Sequence, residues 1–70
     1  MSINTIALSL DGRHVEVWNN GSKIRTIAVE FQGLRDAVEH AKDYLRAWAG
    51  DEDPNIDPEV RKKMDEQGGR

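Results

Sequence analysis

The sequence predicts an α+β fold, a three-stranded antiparallel β-meander packed on one α-helix and followed by a short C-terminal helix, in the order β-β-β-α-α. Three observations predict it. The tight-turn dipeptides Asp11-Gly12 and Asn20-Gly21 sit nine residues apart among alternating apolar residues, which marks two successive hairpins. Leu34, Ala37, Val38, Ala41, Leu45 and Trp48 then recur at helical spacing. Finally, Asp57-Pro58 opens a second, shorter helical segment.

A two-residue loop at 11–12 places Leu10 opposite Arg13, Leu8 opposite Val15 and Ile6 opposite Val17. A similar loop at 20–21 places Asn19 opposite Ser22, Val17 opposite Ile24 and Val15 opposite Thr26. The two registers agree, because Ile6, Leu8, Leu10, Val15, Val17 and Ile24 emerge on one face, as a sheet with one buried side requires. The other face then holds Thr5, Ala7, Ser9, His14, Glu16, Trp18, Lys23, Arg25 and Ile27. Val29 and Phe31 share that parity, so something must cover the later part of strand three. Either a bulge near Ala28 turns these residues toward the core, or the Ile27 edge is an interface for a partner or a second copy.

Gln32-Gly33 breaks the period of two, and the apolar stripe beyond it predicts a helix over 34–49 that ends on the left-handed stop at Gly50. Its polar face carries mixed charge, with Glu39–Lys42 and Asp43–Arg46 as favourable i,i+3 pairs worth a few tenths of a kcal/mol. Residues 1–50 thus read as a single domain. Residues 51–57 read as an acidic linker in which Pro54, the following Pro58 and four acids oppose regular structure. Within 58–70, a short helix to about residue 66 has only Val60 and Met64 as anchors, so it must dock or fray, and Gly68-Gly69 reads as a loose end.

Seventy residues support one small core and no deep enclosed pocket. With no cysteine, disulfides and thiolate metal sites are excluded, and the composition fits a reducing cytoplasm. No basic start precedes an apolar run and no stretch approaches membrane-spanning length, so the expectation is a soluble cytoplasmic protein with no membrane partner. Net charge is −3. Residues 1–26 hold a slight basic excess, with Arg13, Lys23 and Arg25 against Asp11 and Glu16, whereas acid gathers at Asp51, Glu52 and Asp53. That balance argues against direct nucleic-acid binding, whose affinity comes largely from Lys and Arg on phosphates.

No catalytic constellation is present. His14 and His40 lack a nucleophile or a second ligand at useful spacing, the serines lie in no nucleophile elbow, and the glycines form no phosphate-cradling loop. The chain is therefore expected to be no enzyme, to have no small-molecule substrate, and to need no cofactor or metal. Trp18 is the most informative residue, set by strand parity on the face away from the helix, near Lys23, Arg25 and Glu16. It either covers its own hairpin against the Lys23 stem or serves as a binding anchor, the role in which Trp and Arg are enriched at interfaces.

The stretch Val17-Trp18-Asn19-Asn20-Gly21-Ser22-Lys23-Ile24-Arg25 resembles the hairpin of a phage-encoded anti-CRISPR protein that blocks type I surveillance complexes, with Trp18 in place of another aromatic. The order of elements is also similar, although an additional strand segment between strand three and the helix is lacking. The resemblance implies docking of the open sheet face on the backbone subunits of the CRISPR complex, where the guide otherwise pairs with target DNA. It further implies that Trp18 is an anchor, that Glu30 is an acidic contact, and that the protein acts in the cytoplasm of an infected host.

These readings converge on a non-enzymatic protein-binding module acting through Trp18, Lys23, Arg25, His14, Glu16 and Glu30 on a larger protein or ribonucleoprotein complex. One alternative is a DNA-binding sheet face that uses Arg13, Lys23 and Arg25, similar to the N-terminal parts of some phage integrases. Another is a self-associating structural module, a homodimer paired through the Ile27 edge.

Overall fold

The computed structural model describes residues 3–68. They form β1 (Asn4–Leu8), β2 (His14–Asn19), β3 (Ser22–Ala28), α1 (Leu34–Ala49), β4 (Asn55–Ile56) and α2 (Pro58–Gly68). The three long strands pair antiparallel in chain order, β4 adds parallel to β1, and the sheet order is β3-β2-β1-β4. The architecture is α+β, with the expected meander, long helix and short second helix.

In the first hairpin Ile6 faces Val17 and Leu8 faces Val15, as the alternation predicts. Its tip is longer than two residues. Ser9 N–H donates to the His14 carbonyl at 2.9 Å, and Gly12 N–H donates to the Ser9 carbonyl at 3.0 Å, so Leu10–Arg13 form the loop. The Asp11 carboxylate drives this by accepting from the Ser9 hydroxyl at 2.6 Å and from Arg13 N–H at 3.0 Å, a local alternative to ladder pairing. Leu10 consequently leaves the strand and is fully exposed instead of joining the apolar face.

The second hairpin turns through Asn20 at φ 52° and Gly21 at φ 85°, the paired left-handed conformations of a two-residue type I′ loop. Asn19 faces Ser22 and Trp18 faces Lys23. The register then shifts by one, so Val17 faces Arg25 and Val15 faces Ile27, where the sequence placed Ile24 and Thr26. The bulge therefore falls at Ile24 rather than near Ala28. It turns Ile27 toward the helix side, where Ile24, Ile27 and Val29 pack against the core. Ile27 is thus half-buried against the core rather than an exposed edge.

Ile6, Val15 and Val17 from the sheet, Leu34, Ala37, Val38, Ala41 and Leu45 from α1, and Val60 from α2 make one buried core. Trp48 does not complete this stripe. It lies on the helix flank, 53% exposed, with its ring stacked on Tyr44 at 6.4 Å. α1 has the expected limits and ends on Gly50 at φ 68°, whose N–H donates to the Arg46 carbonyl at 3.0 Å. The Glu39–Lys42 and Asp43–Arg46 pairs close at 3.4 and 3.0 Å.

Residues 51–57 are not an unstructured linker. Pro54 is buried, and Asn55–Ile56 pair with Thr5 and Ile6 as β4. Asp51 anchors the entry to this segment, accepting from the buried Asn4 amide at 2.8 Å, while the Asn4 oxygen accepts from Asn19 at 2.8 Å. Asp57 N–H donates to the Ile6 carbonyl at 2.9 Å, and the Asp57 carboxylate caps α2 by accepting from Glu59 N–H at 2.9 Å. α2 docks through Val60, fully buried, and Met64, and it runs to Gly68 rather than to residue 66. The loose end expected at Gly68-Gly69 begins as helix, and Gly69 lies outside the described residues.

Candidate functional site

Because Ile6, Val15 and Val17 point toward the helices, the alternate residues of the same strands emerge on a face that neither helix covers. β2 supplies His14, Glu16 and Trp18 to that face. Across the ladders, β1 adds Thr5 beside Trp18 and Ala7 beside Glu16, and β3 adds Lys23 beside Trp18 and Thr26 beside Glu16.

Glu16 organises the centre. One carboxylate oxygen accepts from the Trp18 indole N–H at 3.2 Å, and the other lies 3.5 Å from the Lys23 ammonium. Its side chain is only 18% exposed against 47% for Lys23, so the indole and the ammonium cover the carboxylate. A half-buried indole with a satisfied N–H is already oriented and has its polar tip engaged, which leaves apolar ring surface for a partner. Shallow hollows flank Glu16 on both sides. One is lined by Thr5, Ala7, Trp18, Gly21 and Asp57, and the other by Ser9, Asp11, His14, Lys23 and Thr26. Such open relief suits the surface of another macromolecule better than an enclosed small ligand.

The structure thus brings Trp18, Glu16 and Lys23 into contact and keeps His14 on the same face, about 13 Å along β2 from Trp18 at the usual rise of a strand. It separates the other two candidates. Arg25 faces Val17 after the bulge and leaves the open face, its guanidinium standing 4.9 Å from the Tyr44 ring on the helix side. Glu30 lies in the turn beyond β3, past the His14–Ala28 pair and so at the end of the sheet remote from Trp18, where it lines a hollow with Gly12, Arg13 and Val29.

One feature was not read from the sequence, and one was read differently. Tyr44 and Trp48 stand four apart on α1 and, with Arg25, build a cation–aromatic ladder along the flank of the helix beside β3. The i,i+4 aromatic spacing was the available signal. Phe31, expected from its strand parity to need cover, is instead fully exposed at φ 76°, a conformation uncommon for an aromatic residue, because the chain leaves the strand after Ala28.

Asp11, at the mouth of the second hollow, has its carboxyl held below the ordinary 3.8, first by the Ser9 hydroxyl and then by the Arg13 N–H. Among the described residues no three His, Asp or Glu side chains gather as a metal site would need. Among the same residues no helix is long and apolar enough to cross a membrane. Comparison with protein-family models, with curated proteins and with solved structures finds no match to this chain.

Proposed function

We propose that the chain is a non-enzymatic protein-binding module whose open sheet face docks on a type I CRISPR effector complex and excludes target DNA. The observation that carries this reading is the Trp18–Glu16–Lys23 cluster, an indole held by a covered carboxylate on the face that the helices leave free. An oriented aromatic loses little entropy on binding, and charges around it give orientation and selectivity. The choice of partner rests on the resemblance of the Val17–Arg25 hairpin and on the order of elements. On this reading the site of action is the cytoplasm of an infected host.

The DNA-binding alternative is weakened by the rotation of Arg25 to the helix side and by the engagement of Lys23 with Glu16, which leave the face little to offer phosphates. Self-association through the Ile27 edge loses its motive, since Ile27 packs on the core. The test is target-duplex binding by a purified type I surveillance complex with and without excess chain. Loss of duplex binding is expected, and unchanged duplex binding at saturating chain would refute the inhibitor reading.

A further inference from the structure

Among the described residues β3 is an edge strand, with β2 on one side and no strand on the other. Val29 N–H donates to the Arg13 carbonyl at 2.9 Å, so strand alternation turns Ile27 and Arg25 toward β2 and leaves the backbone of Thr26 and Ala28 facing outward. The outward Ala28 carbonyl accepts from the Gln32 side-chain amide, so it is already satisfied and only the Ala28 N–H is left to pair.

The chemistry of this edge is distinct from the rest of the molecule. β3 carries no acid, and Arg25, unlike the Lys23 ammonium engaged by Glu16, meets no carboxylate among the described residues, in a chain of net charge −3. Beside it, on the helix side, Arg25, Tyr44 and the half-exposed Trp48 form a continuous shelf. An Arg pinned over an aromatic ring presents its N–H groups at a fixed place, suited to a carboxylate.

We propose that the β3 edge, with the Arg25–Tyr44–Trp48 shelf, is a second docking site that takes an extended acidic segment of a partner protein by strand addition. The guest pairs with the outward N–H and C=O of Thr26 and the outward N–H of Ala28, sets a carboxylate on Arg25, and lays an apolar side chain on Trp48. The bulge at Ile24 ends the regular edge on one side, so the paired stretch is short, about four residues from Arg25 to Ala28. Specificity therefore comes from the carboxylate and the shelf rather than from ladder length.

The test is to pan a displayed random dodecapeptide library on the folded chain, then to measure affinity and amide exchange for the enriched peptides made synthetically. The expected result is enrichment of peptides with acidic residues that slow exchange at Thr26 and Ala28. These peptides should bind at least tenfold more weakly to R25E and W48A, both exposed positions whose folding is checked by circular dichroism, and equally well to W18A. Equal binding to W18A separates this site from the open face, so either reading can fail alone. The proposal is overturned if no peptide is enriched, if enriched peptides lack acidic bias, if they bind R25E as tightly, or if single-stranded DNA occupies the shelf in their place.

Discussion

Trp18 lies where strand parity puts it, yet its state differs from a free surface indole, because Glu16 accepts its N–H and Lys23 flanks the same carboxylate. Truncation to Ala should leave the core intact and weaken partner binding by about 2 kcal/mol or more, since an oriented aromatic anchor is lost. Asn4 shows the opposite balance between legibility and consequence. A lone Asn at a strand start gives no signal in sequence, but its buried amide joins Asn19 to Asp51. Asn4→Ala leaves both partners short of a hydrogen bond and should cost roughly 1–3 kcal/mol in urea unfolding. A change below about 0.5 kcal/mol, the floor for a made bond, would contradict that role. Phe31 is strained and buries nothing, so Phe31→Gly should be neutral to stabilising by up to about 1 kcal/mol, read as a rise in the thermal midpoint. At Asp11 the folded pKa lies below the unfolded one, so its contribution to stability is complete above 3.8 and fades as pH falls through the lower folded value. Ser9→Ala removes the larger cause, and a carboxyl NMR titration should then place Asp11 closer to 3.8.

The elements differ in how openly the sequence declares them. α1 was legible to the residue because an uninterrupted apolar stripe meets a left-handed glycine stop at Gly50. The second hairpin was legible because Asn20-Gly21 has essentially one favourable two-residue turn. The first hairpin kept its register but not its tip, since Ser9 and Asp11 side chains compete with ladder bonds for the loop backbone. β3 required a bulge to bury Ile27, and the spacing of three between Ile24 and Ile27 was the clue to its position, as both pack inward only if the strand gains a residue between Lys23 and Arg25. β4 was invisible because two residues cannot show a period, and their pairing depends on β1, fifty residues earlier in sequence. The dependence of α2 on tertiary contact gives a sharp expectation. Val60→Asp places a carboxylate in the shared core and should undock α2, so that amides of residues 60–66 exchange rapidly while α1 and the sheet stay protected. Uniform loss of protection would instead mean that α2 is integral to the whole fold.

At the scale of the molecule, the helices and the core claim one side of the sheet and leave two surfaces of unlike character. The open face is a polar field around a held indole, while the β3 edge is a basic strand beside an aromatic shelf. The sequence indicated the first through alternation alone, since His14, Glu16, Trp18 and Lys23 all obey the period of two. It misassigned Arg25 because one inserted residue at Ile24 reverses the parity of the rest of β3, and it could not place Glu30, which lies past the last paired residue of that strand. Neither surface needs a second copy of the chain, so sedimentation at high concentration should give a monomer. A concentration-dependent dimer would reopen the edge-pairing alternative. The central claim is that Trp18 anchors the open face on a type I surveillance complex. It is tested most directly by the affinity of the purified complex for the native chain, for Trp18→Ala and for Glu39→Ala on the remote polar face of α1. The account predicts binding by the native chain and by Glu39→Ala, with a loss of roughly thirtyfold or more for Trp18→Ala, the equivalent of about 2 kcal/mol. Absence of native binding, or equal affinity for all three chains, would contradict it.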